Sequence, residues 1–308
     1  MSDALHTHAP NAFANSPLDR LDAQRKDTSW VQAHLGAPST LFVPVWRGRN
    51  LVAGDRAAPA AAFLAPKQAA PHLAACPWAL LGQHDGRTLF AIDLSHLDTP
   101  LEPGAVERFD DLRRVGGLLP EADAAILAHA RGLMHWRTHH RFCSVCGAVC
   151  TPAQAGHVME CSGCGAHHFP RTDPAVIMLI THGERALLGM PPRLRDLRVF
   201  TTLAGFVEPG ESLEEAVARE TWEEAGIRVG NVCYRSSQPW PFPASIMLGF
   251  TAQALTTEIT ADEAELAEPA WFTREQAASQ DGFILPPPMS IARRLIDEWL
   301  ASGSQPAA

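Results

Sequence analysis

No apolar run in this chain approaches the roughly 18 residues that a membrane-crossing helix needs, so no membrane span or membrane partner is expected. The opening residues have neither a charged stretch followed by an apolar one nor an amphipathic arginine-rich pattern, so no signal or transit peptide is expected either, and the expected location is cytoplasmic. Positive charge is also short. Twenty-five Lys and Arg stand against 34 Asp and Glu, a net charge of -9. Affinity for phosphate backbones comes mostly from Lys and Arg, which argues against broad, non-specific nucleic-acid binding and leaves room only for a local basic patch. The makings of a disulfide framework are missing too. The 7 cysteines are odd in number and four of them fall in C-x-x-C pairs, which suits a reducing compartment and metal ligation. Cys76, Cys150 and Cys233 read as ordinary thiols.

What is present suggests about two domains for 308 residues. Residues 1–17 are small and polar with little periodicity and are expected to be disordered, as is the tail at 303–308. Residues 18–118 read as an N-terminal α+β domain rich in strands, with a short helix near 18–24 and strands at 41–46, 78–82 and 88–94. The last two face each other across Asp85-Gly86, a strong hairpin signal. The Ala- and Pro-rich run at 56–77 has no clear period. Pro120 opens a linking helix over 119–140, with Ile126, Leu127, Ala130, Leu133 and Met134 at helical spacing.

Cys143-Ser-Val-Cys146 and Cys161-Ser-Gly-Cys164 follow, fourteen residues apart and each ending in glycine (Gly147, Gly165). Two such knuckles bring four thiolates together tetrahedrally, the geometry of one structural Zn²⁺ per chain over a ribbon at 141–168. Four sulfurs close the site, so the metal should support folding and not chemistry, with Cys150, His167 and His168 as bystanders. Such a ribbon can also read nucleic acid, but Cys143 to Pro170 offers only Arg141 nearby and three histidines within.

Further on, Ser212 with Glu215 forms a capping box and Gly226 a left-handed stop, predicting a helix over 213–225. Glu220, Glu223 and Glu224 lie on one face of it, one turn apart. Like charges so placed repel unless a cation neutralises them, and hard divalent ions such as Mg²⁺ or Mn²⁺ take carboxylate oxygens. The plainer alternative is a solvated helix with Arg219 paired to Glu215 and Glu223.

The wider pattern resembles the Nudix box at every fixed position: Gly205, Glu211, Arg219, Glu220, Glu223, Glu224, Gly226 and Ile227. Thr221 departs from an aliphatic slot, but it is a near isostere of Val whose hydroxyl can bond back to the Val217 carbonyl. Strands expected at 175–181, 185–190, 199–203, 229–236 and 245–254, with a last helix at 290–300, complete an α/β/α sandwich with a mixed sheet over 169–302. The expected fold class is α+β: by this resemblance, a Nudix sandwich preceded by a zinc ribbon and a β-rich N-terminal domain. Arg193, Arg195 and Arg198 sit in the loop between the second and third of these strands, available to phosphate or merely solvated.

Ser237-Gln238-Pro239-Trp240-Pro241-Phe242-Pro243-Ala244-Ser245, held extended by alternating prolines, together with the four-cysteine ribbon, resembles the NADH pyrophosphatase family. The likeness covers Trp136 to the end well and the N-terminal domain weakly. It implies metal-dependent cleavage of NADH, and of NAD⁺ less readily, to nicotinamide mononucleotide and AMP. It also implies removal of NAD caps from RNA 5′ ends, and a homodimer. Carried over by motif, Glu220, Glu223 and Glu224 are catalytic, and two or three Mg²⁺ or Mn²⁺ ions are held by Glu220, Glu224, Glu265 and the Ala204 carbonyl. The substrate pocket includes Phe169, Phe206, Gln238, Pro239, Trp240, Pro241, Phe242, Pro243, Ala244, Ser245 and Ala292. Many relatives have tyrosine where Phe169 stands, which leaves ring stacking but not a hydroxyl contact. For the general base, Glu223 and Glu224 remain open. Two other readings stand beside this one: hydrolysis of another nucleoside diphosphate derivative such as ADP-ribose, and a silent Nudix domain that senses a nucleotide.

Overall fold

The run Ala175–Ile180 is apolar at every position, which only a strand covered on both faces can satisfy. In the computed structural model, which describes residues 9–100, 107–261 and 266–303, this run is the centre of a six-stranded mixed sheet. The chain divides into two units, one of residues 173–239 with 245 onward and one of the residues before 173 with 240–244.

In the unit that begins at Asp173 the strands are β10 (Asp173–His182), β11 (Arg185–Met190), β12 (Leu203–Phe206), β13 (Val229–Trp240), β14 (Ser245–Ala254) and β15 (Ala267–Thr273). Their order is β13-β14-β10-β11-β15, with β12 antiparallel on β10 and β14 parallel to it. Alternation along β10 sorts its side chains between two cores. Val176, Met178 and Ile180 pack with Ala216, Val217 and Ala225 of helix α5 (Leu213–Ala225). Ile177 and Leu179 pack with Ile291, Leu295, Ile296 and Trp299 of helix α7 (Ile291–Ser302). Helix α6 (Arg274–Ser279) follows β15. The expected α/β/α sandwich is therefore present. The strand expected at 199–203 is displaced to β12, because Arg198 adopts a left-handed conformation (φ 49) after a 3-10 turn and leaves only isolated bridges at Val199 and Thr201. Strand β13 runs four residues past its expected end, and neither β15 nor α6 was anticipated.

The other unit has a sheet of related design. Its strands are β1 (Leu41–Trp46), β2 (Arg49–Gly54), β3 (Pro59–Ala61), β4 (Trp78–His84), β5 (Arg87–Asp93) and β6 (Arg108–Asp110), in the order β3-β2-β1-β5-β4 with β6 on β2. Strands β1 and β2 form a hairpin, β1 runs parallel to β5, and β4 flanks β5, as β10, β11, β14 and β13 do in the other sheet. Asp85 and Gly86 turn the β4–β5 hairpin with positive φ values of 48 and 71, as the Asp-Gly pair requires. Helix α1 (Thr28–Leu35) is capped by Asp27, whose carboxylate accepts from the Trp30 N–H; the helix expected at 18–24 is replaced by a single 3-10 turn, since Asp19 is bridged to Gln83. The unassigned run at 56–77 holds β3 and the four-residue helix α2 (Pro66–Ala69).

Two expectations about organisation change here. Helix α4 (Glu121–His139), with the short α3 (Leu112–Val115) before it, packs on β1, β4 and β5; it is a layer of this unit's core and more than a linker, because its apolar stripe needs a sheet to cover it. Residues 9–17 are ordered, with Phe13 only 4% exposed among aromatic partners, so the disorder expected for 1–17 fails from residue 9 on. Residues 1–8 and 304–308 lie outside the described residues, as does Glu265.

Buried histidines hold the segment around residues 20–25 to this unit. His157 Nε2–H donates to the Leu80 carbonyl at 2.6 Å, Arg25 approaches His157 Nδ1 at 3.4 Å, and Arg20 donates to His129 Nε2 at 3.1 Å. Burial, and then the neighbouring arginines, push His157 down to about 4 and His129 well below its ordinary value. An unfolded histidine takes its proton near 6.5, and the folded one does so only near 4. The stability from these neutral rings is complete above 6.5 and is lost as pH falls toward 4. Thermal melts should therefore show a falling Tm over that window, and His157→Gln, which keeps the donor to Leu80, should flatten the fall. An unchanged slope in the folded variant would contradict this.

Candidate active site and metal centres

Helix α5 begins and ends as its sequence dictates. Ser212 Oγ accepts from the Glu215 N–H at 3.2 Å, the Glu215 carboxylate accepts from the Ser212 N–H at 2.6 Å, and Gly226 closes the helix at φ 67. Thr221 is fully buried and its hydroxyl donates to the Val217 carbonyl at 2.7 Å, which resolves the one departure in the box. Glu215 is thus committed to the cap. The alternative in which Arg219 pairs with Glu215 does not hold.

Arg219 instead gathers the acidic residues. Its Nη2 and Nε donate to the two oxygens of Glu211 at 2.6 and 3.0 Å, and its Nη1 donates to Glu220 and to Glu223 at 2.9 Å each. A further bond from Nη2 reaches the Phe206 carbonyl at 2.9 Å and ties α5 to the end of β12. The bidentate contact with Arg219, followed by the Glu208 N–H, holds the Glu211 carboxyl down to about 2. Gly205 completes the arrangement: a Cβ there would overlap the Glu220 carboxylate. Only glycine lets β12 pass this close to a charged side chain. Ala204, the expected carbonyl ligand, precedes it on β12 opposite Ile177.

One guanidinium against Glu211, Glu220 and Glu223 leaves two formal negative charges, and half-buried Glu224 adds a third. This all-oxygen, net-negative donor set fits Mg²⁺ or Mn²⁺. The carboxylates are spread around Arg219 and are not gathered on one point. Among the described residues only the four cysteines bring three or more ligand atoms within 4.8 Å of one another.

The residues expected at the substrate differ in what they offer. Phe206 and Phe169 are about 60% exposed, with rings open to solvent. Gln238 is fully buried, and its amide donates to the Met289 carbonyl at 2.8 Å and accepts from the Ile291 N–H at 2.9 Å, so it anchors the start of α7. Ala292, the second residue of α7, is buried on the core side of that helix, and Ser245 starts β14 opposite Asp173. Phe242 is buried as well, with the guanidiniums of Arg113 and Arg131 over its ring at 4.6 and 4.8 Å. Its ring supports the loop. Trp240 is half-buried, edge-on to Phe242 at 5.0 Å, and keeps part of its surface open. Pro239, Pro241, Pro243 and Ala244 form the frame that carries it. Sequence reasoning missed Arg113 and Arg131, which carry no local motif. It also passed over Phe13, although no other Phe, Trp or Tyr occurs before Trp30.

In the ribbon, strands β7 (Cys150–Ala153), β8 (Val158–Cys161) and β9 (His167–His168) form a small sheet that positions the knuckles. The turns close on Gly147 and Gly165 at φ 78 and 73. Cys143 and Cys164 sulfurs are 3.7 Å apart and those of Cys146 and Cys161 3.4 Å. A tetrahedron with Zn–S near 2.3 Å has edges of about 3.8 Å, so the four thiols fit zinc. The Cys146 backbone N–H, with a smaller contribution from His168 among others, draws Cys143 down to about 5, favouring the thiolate a metal needs. His168 lies 3.3 Å from the Cys143 sulfur as an outer neighbour. Because a structural zinc contributes folding free energy, Cys146→Ser should lower the Tm and release the metal. Elemental analysis showing no zinc in wild-type protein purified without chelator would end this assignment.

Comparison with known proteins agrees with the division seen in the fold. Residues 171–299 match the NUDIX domain, residues 138–169 the NADH pyrophosphatase zinc ribbon domain, and residues 39–136 the NADH pyrophosphatase-like rudimentary NUDIX domain. The chain is similar to the NAD-capped RNA hydrolase NudC of Deinococcus radiodurans, 37% identical over 271 residues, 86% of this chain and 89% of that protein. It is also similar to the NAD-capped RNA hydrolase NudC of Mycobacterium bovis, 36% identical over 302 residues, 92% and 94% of the two chains. NAD-capped RNA hydrolase NUDT12 of Macaca fascicularis is 42% identical over 198 residues, 59% of this chain; the match spans 43% of that longer relative. The chain belongs to the Nudix hydrolase superfamily, and within it to the NADH pyrophosphatase (NAD-capped RNA hydrolase) family that carries a zinc ribbon.

Proposed function

We propose that this protein hydrolyses the pyrophosphate bond of NADH and NAD⁺, giving nicotinamide mononucleotide and AMP, and that it removes NAD caps from RNA 5′ ends. The observation that carries the reading is the Glu220 carboxylate lodged beneath Gly205 and bound, with Glu211 and Glu223, to Arg219. The names of the relatives supply the substrate.

Glu220 and Glu224, with the Ala204 carbonyl and Glu265, would hold Mg²⁺ or Mn²⁺. When bound, the ions supply positive charge against the diphosphate and acidify a water for in-line attack on phosphorus. Arg219 fixes the Glu220 and Glu223 oxygens in place before substrate arrives, so little reorganisation is left for the reaction itself. Glu223 and Glu224 are the two candidates that would take a proton from the attacking water. Exposed Phe169 and Phe206 and half-buried Trp240 stack on the base or the nicotinamide, while Gln238 and Phe242 shape the loop. The working assembly is a cytoplasmic homodimer. Among the described residues no helix is long and apolar enough to cross a membrane.

An ADP-ribose hydrolase would share the box but gives no role to the Gln-Pro-Trp-Pro-Phe-Pro run. A silent sensor fits less well, since each box carboxylate is retained. Glu224→Gln, nearly isosteric and relieved of one charge, should keep the Tm and lose roughly 100-fold or more in kcat. Full turnover in that folded variant would remove Glu224 from the site. The substrate is tested by incubating NADH, NAD⁺, ADP-ribose and NAD-capped RNA side by side at one metal concentration. Nicotinamide mononucleotide and AMP from NADH are expected, and cleavage of ADP-ribose alone would overturn the reading.

A further inference from the structure

The prolines at 239, 241 and 243 stiffen their segment but remove three backbone donors, so the turn at 240–244 cannot be held by a full ladder of backbone bonds. Other groups hold it. Arg131, on α4, donates from Nε to the Pro241 carbonyl at 2.8 Å, and its guanidinium lies 4.8 Å from the centre of the Phe242 ring. Arg113, on α3, lies 4.6 Å from the same ring. Phe13 meets Phe242 edge-on at 5.9 Å and Trp240 at 6.2 Å, and it is more deeply buried than either.

Three features mark this as a built clamp. Arg131 Nη1 is buried without a hydrogen-bond partner, so the guanidinium gives up a solvated position to lie against the aromatic ring, where the cation–π attraction offsets part of that loss. Phe13 has a positive φ of 70, which an aromatic residue adopts only where its surroundings fix it. The ring of Phe13 occupies the space that a side chain at Gly116 would need, since a Cβ at that position would overlap it. Phe13, Arg113 and Arg131 thus come from three separate segments of the unit that also contains residues 240–244, which begin at the last residue of β13.

We infer that Phe13, Arg113 and Arg131 are positioning residues for substrate recognition, holding the 240–244 turn so that Trp240 is presented to the dinucleotide in one orientation. The inference rests on the proposed NADH hydrolysis and gives the rudimentary Nudix unit a part in it. A residue that orients a binding ring affects ground state and transition state alike, so its loss raises KM and leaves kcat nearly unchanged.

The test is steady-state kinetics with NADH on purified full-length Arg131→Ala, Arg131→Lys and Phe13→Ala, with Tm and Mn²⁺ affinity measured on each. Arg131→Ala and Phe13→Ala should raise KM by about 10-fold, the scale of one aromatic stacking contact, with kcat within about two-fold and Mn²⁺ affinity unchanged. Arg131→Lys, which can still donate to the Pro241 carbonyl, should recover most of the lost KM. If Arg131→Ala does not fold, Gly116→Ala, which displaces the Phe13 ring from outside the turn, takes its place with the same expected split. A lowered Tm with wild-type KM, or a loss confined to kcat, overturns the clamp. Wild-type protein that does not cleave NADH overturns the proposed function instead, before any variant is compared.

Discussion

A carboxylate held where residue 205 has no side chain is the constraint on which the chemistry of the C-terminal unit depends. Glu220 can lie there because β12 passes with glycine at that point, and it stays there because Arg219 bonds it from one side and reaches the Phe206 carbonyl from the other. Glu211, eight residues earlier, is needed for the same reason: it takes both remaining directions of the guanidinium and leaves Nη1 for Glu220 and Glu223. The fixed spacing of the box thus follows from one planar cation with donors in a rigid fork. Helix and strand around it are carried by the alternation of β10, which sends one set of apolar side chains under α5 and the other under α7.

The two sheets repeat one plan and differ where the chemistry lies. Between the β2–β3 region and β4 the N-terminal unit has the four residues of α2, Pro-Lys-Gln-Ala, and a 3-10 turn at Ala70–His72, where the C-terminal unit has the thirteen residues of α5 before β13. That short helix carries no acidic residue. This agrees with its match to a rudimentary Nudix domain. Such a unit keeps a stable sheet and is free to serve other ends, and holding Trp240 is one that requires only packing.

Helix α5, the knuckles and the β4–β5 hairpin were legible because each is written in local chemistry: a capping box and a left-handed glycine, paired cysteines closing on glycine, an Asp-Gly turn. The edges of β10 were close to their expected positions because its apolar run, Ala175–Ile180, ends at Thr181 and His182. The order of residues 9–17 was not legible, since Phe13 is one ring in a polar stretch and its neighbours Gly116, Trp240 and Phe242 lie about 100 and 230 residues away in sequence. Phe242 and Gln238 are expected at the substrate because the motif names them as a block, and the packing of each, Gln238 against the start of α7 and Phe242 beneath two guanidiniums, carries no local sequence signal. Helical spacing permits Arg219 to pair with either Glu215 or Glu223; the capping box takes the Glu215 carboxylate, and only the pair with Glu223 forms.

The central claim is that Glu220 beneath Gly205 is part of an oxygen-ligated cation site. It is tested most directly by titrating Mn²⁺ into the substrate-free protein and following the free ion by electron paramagnetic resonance. The account predicts saturable binding that is lost in Glu220→Gln and retained in Cys146→Ser, where that variant remains folded. Equal Mn²⁺ affinity in wild type and Glu220→Gln would contradict it.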